Sequence, residues 1–186
     1  KEGVNVKKIA IVATGGTIAG SGKAGKATVY EAGTIRVEEV LATIPQISEI
    51  ATIEMHDLVS VDSNEMNEEI WLKLLKEIDE IASRDDIDGI VVTHGTDTIE
   101  ETAYFLNLTI STLKPVVLTG AMRPATATSA DGPYNLFQAI SLASHEEAIG
   151  RGVMCLFSST IYSGRDIQKV NNYKIDAFDQ KAFASL

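Results

Sequence analysis

Five short, mostly apolar runs separated by stretches of helical spacing constrain this chain more than any other feature. Lys8 to Ala13, Ile50 to Met55, Ile87 to Thr93, Pro115 to Thr119 and Val153 to Phe157 read as strands. The runs Ile9 to Ala13 and Ile90 to Val92 carry no polar alternation, which is the pattern of a strand covered on both faces in a parallel sheet. Between the strands, Val37 to Ile44 (ended by Pro45), about Asn67 to Ala82, Thr98 to Thr109 and Tyr134 to Ser144 have helical character. In the second of these Ile70, Leu74, Leu75, Ile78 and Ile81 share one face, and Asp62-Ser63-Asn64 supplies capping residues ahead of it. Strands alternating with helices predict an α/β fold: a doubly wound, mostly parallel sheet of flavodoxin-like or Rossmann-like type, flanked by helices in three layers.

Two of the runs deliver a threonine hydroxyl into a sharp glycine turn. Thr14-Gly15-Gly16-Thr17-Ile18-Ala19-Gly20 follows the first strand, and Thr93-His94-Gly95-Thr96-Asp97-Thr98 follows the third. Both hydroxyls fall at strand C-terminal ends, the edge at which open α/β sheets bind ligands. Asp97 adds a carboxylate directly to the second, and the combination points to chemistry at a hydroxyl nucleophile. A nucleotide cradle fails on spacing, because Gly15, Gly16 and Gly20 do not form G-x-G-x-x-G and no Gly-Lys-Ser/Thr follows.

Each residue also has a plainer reading. Thr17 can satisfy a local backbone group after its turn, and Asp97 can cap the helix that starts near Thr98. His94 fits a hydrogen-bonded structural histidine. Lys169, after Ser163-Gly164-Arg165-Asp166, is a solvated lysine unless it is the cation beside Asp97. Asn107-Leu108-Thr109 matches a glycosylation acceptor but falls inside an expected helix.

Bulk properties narrow the partners. With 186 residues the chain can form one sizeable domain. Its net charge of -10 repels nucleic acid, and no apolar run approaches the ~20 residues of a membrane span. Cys155, the only cysteine, lies in an apolar run and is expected to be a buried thiol; His56, His94 and His145 are too widely spaced for a zinc site. Lys1 opens no signal-peptide pattern, so a leader has been removed or never existed. The small-residue segment Gly15 to Gly33 is expected to be a loop, functional or disordered, its Gly20 to Thr34 part a mobile lid. Beyond Asp166 the chain is polar and stops at Ala184-Ser185-Leu186 without a clear closing element, so it reads as cut or frayed.

Together these segments resemble the bacterial asparaginase and glutaminase-asparaginase family over nearly the whole chain. The specific signatures are Ala13 to Gly20 and Val92 to Ala103. Asp62 to Met66, Gly120-Ala121-Met122-Arg123-Pro124, Ser129 to Pro133 and Gly164-Arg165-Asp166 with Lys169 support them. The resemblance implies hydrolysis of L-asparagine to L-aspartate and ammonia, without metal or cofactor. It implies Thr17 as nucleophile, with Tyr30 of the lid beside it, and a second cluster of Thr96, Asp97 and Lys169. In that cluster Lys169 eases removal of the Thr96 proton, while Asp97 also binds the substrate amino group. Ser63, with backbone groups near Asp62, Asn64 and Gly95, would hold the α-carboxylate, and the backbone at Ala121 would face the leaving amide.

The resemblance further implies a homotetramer and a second, smaller C-terminal domain. Residues 1–186 are then the N-terminal, nucleophile-bearing domain of a longer protein, folded but inactive or nearly so alone. It suggests a periplasmic or secreted location, with a cytoplasmic one still open. Asn64 is shorter than the residue common in the secreted branch, which leaves asparagine against glutamine open. A dual glutaminase-asparaginase and a catalytically dead amino-acid-binding domain remain as alternatives.

Overall fold

The computed structural model describes residues 6–19, 21–22, 30–31 and 36–180, the pairs 21–22 and 30–31 by backbone only. In chain order the elements are β1 (Lys7–Gly15), β2 (Ser21–Gly22), β3 (Tyr30–Glu31), α1 (Val37–Leu41), α2 (Ile47–Ile50) and β4 (Ala51–Val61). There follow α3 (Glu68–Ala82), β5 (Gly89–Thr93), α4 (Ile99–Thr109), β6 (Val116–Thr119) and α5 (Gly132–Ala143). β7 (Val153–Phe157), β8 (Thr160–Ser163), β9 (Ile167–Lys169) and β10 (Phe178–Gln180) complete the order.

The main sheet runs β4-β1-β5-β6-β7-β8. Its first five strands pair in parallel and β8 returns antiparallel on β7. Taken as the five parallel strands alone, this is the 2-1-3-4-5 order of flavodoxin-like folds, in which the strand order reverses between the first and third strands. Here that reversal lies between β1 and β5, the strands that carry the two threonine turns.

Residue parity on the strands builds the three layers. Ile9 and Ile11 of β1, Val91 of β5 and Val117 of β6 face α1, α2 and α5. Ala10, Val12, Ile90, Val92 and Leu118 face α3 and α4 on the other side. α3 presents Leu74, Ile78 and Ile81 to that second core, and each such side chain contributes about 1.5–3 kcal/mol by leaving water.

Three local outcomes differ from the sequence reading. The first helix stops at Leu41, and the turn before Pro45 leads into the separate α2. Asp62 does not cap α3. It opens a 3-10 turn, Ser63–Glu65, with a reciprocal capping box: Asn64 N–H donates to Asp62 Oδ1 at 3.0 Å and Asp62 N–H to Glu65 Oε2 at 3.0 Å. Asn67 caps α3, accepting from Ile70 N–H at 3.1 Å. β4 runs past Met55 to Val61, with a register irregularity opposite Ala13 and Gly15, and so delivers Ser63 to the same sheet edge as Thr17.

Past Phe157 the chain is more ordered than its polarity suggests. Ser158 and Ser159, at φ 48° and 64°, turn β7 into β8, and β9 pairs antiparallel with β10. Phe178 of β10 stacks on Phe157 with ring centroids 4.2 Å apart, and Tyr162 donates its hydroxyl to the Phe178 carbonyl at 3.0 Å. Residues 181–186 and most of the expected lid, including the Tyr30 side chain, lie outside the described residues. Among the described residues no helix is long and apolar enough to cross a membrane, and no group of three metal-ligating side chains occurs. Cys155 is buried, as the sequence suggests.

Candidate active site

Glycine is what lets three loops meet at the strand reversal. Gly16 sits at φ +83°, and a Cβ there would lie 2.5 Å from Gly95 Cα; a Cβ on Gly95 would lie 2.6 Å from Ser63 Cβ. The turns after β1, β5 and β4 therefore pack backbone against backbone, an approach no side chain permits. Thr14 Oγ1–H donates to the Thr93 carbonyl at 2.8 Å and Gly16 N–H to the Val61 carbonyl at 3.2 Å, fastening the three turns together.

Thr17 opens a 3-10 turn, Thr17–Ala19, directly beyond this crossing, and it is buried. It lines a small polar notch with Gly16, Asp62, Ser63, Gly95, Thr96 and Asp97. Six expected site residues, Thr17, Asp62, Ser63, Gly95, Thr96 and Asp97, thus share one recess, whereas Asn64 does not line it.

Lys169 arrives from β9. Its ammonium donates to Thr96 Oγ1 at 2.9 Å and also to Asp97 Oδ1. The lysine side chain is only 10% exposed, so the surface reading of this residue does not hold. Asp97 is not the helix cap either. α4 begins after Thr98, whose hydroxyl donates to the Ser63 carbonyl at 2.7 Å, while Asp97 faces Lys169 and takes Asn64 Nδ2–H on its other oxygen at 3.4 Å. The hydrogen bond from Lys169 holds the Asp97 carboxyl below the usual carboxylate range, against a partial burial that acts the other way. Asp97 N–H donates to Ser63 Oγ at 3.2 Å, which ties the second turn to the third.

An ammonium has no acceptor, so the bond to Thr96 leaves the threonine proton free to be given away while the lysine charge stabilises the oxygen behind it. A carboxylate at the same turn is placed to pair with a cationic group entering the notch. Backbone N–H groups and the Ser63 hydroxyl suit an anion. This is the donor and acceptor set for a small zwitterion beside a hydroxyl.

Other expected residues sit farther out. Ala121 is fully buried, its side chain in the α5-side core, and it does not line the notch. Its turn is fixed by Asp131, which accepts the backbone N–H groups of Met122 and Arg123 at 2.9 Å each. Burial pushes the Asp131 carboxyl up, and those two N–H groups oppose it. Asn135 bonds the Gly120 carbonyl at 3.0 Å.

His94 is structural: no surface is exposed, and burial lowers its pKa to about 4. Its Nδ1 lies 2.6 Å from the Gly95 carbonyl and its Nε2 2.8 Å from Thr102 Oγ1, which accepts from Trp71 Nε1–H at 2.8 Å. The roles of Asp131, Asn135, Thr102 and Trp71 carry no sequence signal, because each depends on a partner fixed only by the tertiary fold.

Geometry of this kind defines a class: a flavodoxin-ordered α/β domain whose strand-reversal cleft holds hydroxyls, a carboxylate and an ammonium in place of a phosphate cradle. Residues 8–186 match the model of the asparaginase N-terminal family, and the chain belongs to that family. It is 44% identical over 182 residues to the probable periplasmic L-asparaginase of Haemophilus influenzae, covering 98% of this chain and 52% of that protein. It is 45% identical over 171 residues to the glutaminase-asparaginase of Pseudomonas fluorescens, covering 91% of this chain and 47% of that protein. A crystal structure of a probable cytoplasmic L-asparaginase from Campylobacter jejuni superposes with a TM-score of 0.91 at 48% identity, covering 94% of this chain and 53% of that one. The chain spans about half the length of the relatives it matches.

Proposed function

We propose that this chain is the N-terminal, nucleophile-bearing unit of an L-asparaginase. Thr17 Oγ attacks the side-chain amide carbon of asparagine, the tetrahedral oxyanion collapses with loss of ammonia, and water hydrolyses the resulting aspartyl ester to aspartate. The observation that carries this reading is the shared notch: Thr17 opens onto the same recess as Thr96, whose oxygen is bonded by Lys169 at 2.9 Å.

In this reading Thr96 relays a proton: it takes the one lost by Thr17 Oγ as that oxygen attacks and passes its own to the amide nitrogen, which leaves as ammonia, while the Lys169 ammonium stabilises the Thr96 oxygen throughout. A positioned transfer of this kind is worth about 10²- to 10⁴-fold. Ser63, with backbone groups near Asp62, Asn64 and Gly95, receives the α-carboxylate, the Asp62 and Asn64 N–H groups themselves being committed to the capping box, and Asp97 receives the α-ammonium. These contacts orient the amide from the remote end of the substrate. The resemblance assigns Tyr30 a part beside Thr17 and the backbone at Ala121 a place facing the leaving amide; Ala121 does not line the notch, but Gly120 next to it packs by Thr96.

Glutamine is a second substrate in this proposal, supported by 45% identity to the Pseudomonas fluorescens glutaminase-asparaginase. We infer further that full turnover needs acidic and amide groups from a C-terminal domain of a neighbouring subunit in a homotetramer, in keeping with the half-length match. A periplasmic or secreted location follows the branch the signatures resemble, and cell fractionation decides it against a cytoplasmic one. The test of function, made on the full-length protein, is ammonia release from asparagine and from glutamine, with Thr17→Ala alongside. The proposal expects a higher kcat/KM for asparagine and loss of both activities in the variant; undiminished turnover without the Thr17 hydroxyl overturns it.

A further inference from the structure

Lys169 reaches Thr96 from an element with little of its own to hold it in place. β9 has three residues, stands outside the main sheet and, among the described residues, pairs with β10 alone. Ile167 and Phe178 are buried and seat the hairpin against the α4-side core; the bonds from Tyr162 O–H to the Phe178 carbonyl and from Ser163 N–H to Gln180 Oε1 fall on β10, so β9 itself is seated chiefly by apolar contact and by its partner strand. An ammonium on a four-carbon stem amplifies any movement of that strand.

One polar contact falls on the lysine itself. The backbone N–H of Lys169 donates to Glu100 Oε2 at 2.6 Å, a charge-assisted bond between residues 69 apart in sequence. Glu100 lies in the first turn of α4, only a few residues beyond Thr96 and Asp97. The same short segment therefore presents both partners of the lysine head and grips the lysine backbone.

We propose that Glu100 is the positioning residue for Lys169, locking β9 to the start of α4 so that the ammonium meets Thr96 and Asp97 together. The proposal rests on the reading of Lys169 as support for Thr96. The plainer account of Glu100 is an acidic residue favoured at a helix N-terminus by the macrodipole. Glu101 is the internal control, since it shares that first turn but is exposed to solvent.

The experiment is NMR on the labelled 186-residue chain, following the Lys169 backbone amide proton and the titration of the Asp97 carboxyl, neither of which needs turnover. In the unaltered chain the Lys169 amide proton should lie downfield of the main amide envelope and Asp97 should titrate below the ordinary carboxylate range. In Glu100→Ala the downfield shift should be lost and the Asp97 midpoint should rise toward that range. Glu100→Gln, which keeps an acceptor oxygen, should retain most of both effects, and Glu101→Ala should leave both unchanged. Glu100→Asp, one methylene short of reach, should behave like the alanine variant and serves if alanine prevents folding. An unmoved Asp97 midpoint in folded Glu100→Ala or Glu100→Asp overturns the proposal, as does an equal effect from Glu101→Ala. Lys169→Met separates the two levels: if it leaves Asp97 unmoved, the lysine reading itself fails, whereas a shift there without one in the Glu100 variants sinks only the positioning role.

Discussion

Acid should weaken this fold through His94, by an amount that the buried hydrogen-bond chain sets. The Gly95 carbonyl can only accept, so the imidazole proton sits on Nδ1 and Nε2 accepts the Thr102 hydroxyl, whose oxygen in turn takes Trp71 Nε1–H. A second proton on the ring would aim an N–H at an oxygen already engaged by the indole, inside a site with no exposed surface. The folded pKa is accordingly lowered from 6.5 to about 4, chiefly by burial. Because the folded value is the lower one, the unfolded chain takes up the proton first as pH falls. Stability is then intact above about pH 6.5, declines as pH drops and levels off below about pH 4. At 1.36 kcal/mol per pH unit, that window corresponds to about 3 kcal/mol. Urea unfolding across this range, for the unaltered chain and for His94→Gln, isolates the contribution from those of the carboxylates. The stability gap between the two should narrow by about 3 kcal/mol on acidification. Parallel pH profiles, or a His94 ring proton that titrates near its ordinary value, would refute the reasoning.

Three further outcomes follow from the structure. Gly95→Ala places a Cβ 2.6 Å from Ser63 Cβ and 2.8 Å from its hydroxyl oxygen; it should cost about 1–3 kcal/mol of stability and sharply weaken aspartate binding by calorimetry, so wild-type affinity would contradict the close-packed notch. Lys169→Met should reduce turnover about 10²-fold or more while changing KM little, and an unchanged kcat would return Lys169 to a structural role. Burial holds the Cys155 thiol well above its ordinary pKa, so iodoacetamide should label it only on unfolding, and native-state labelling at the rate of a free thiol would show that the β7 core opens.

Alternation of apolar runs with helical spacing carried the architecture, since strands buried on both faces and amphipathic helices leave the clearest periodic signal. Val153–Phe157 emerges with the bounds read from the sequence, and Thr17 and Thr96 arrive at the strand reversal because turns after parallel strands have nowhere else to go. The hairpin of β9 and β10 was not legible: its strands have three residues each and owe their place to Phe178 on Phe157, a contact between distant segments. The roles of Asp97 and Asp62 turned on similar competition. Asp97 reads from sequence first as a helix cap, and as an ion-pair partner only if a cation lies nearby, which the position of Lys169 supplies; Asp62 caps a separate short turn because β4 runs six residues beyond Met55 before turning. Glu100 looked like any acidic first-turn residue, for its partner is a backbone N–H, a group every strand residue but proline offers.

The assignment of Thr17 Oγ as the atom that bonds to substrate is tested most directly by acid-quenching the full-length protein during exposure to asparagine and locating the aspartyl ester by peptide mass. An ester on the peptide that carries Thr17, absent from Thr17→Ala and diverted to a hydroxamate by hydroxylamine, is the expected result. An ester on Thr96 instead, or ammonia release that survives in Thr17→Ala, would contradict it.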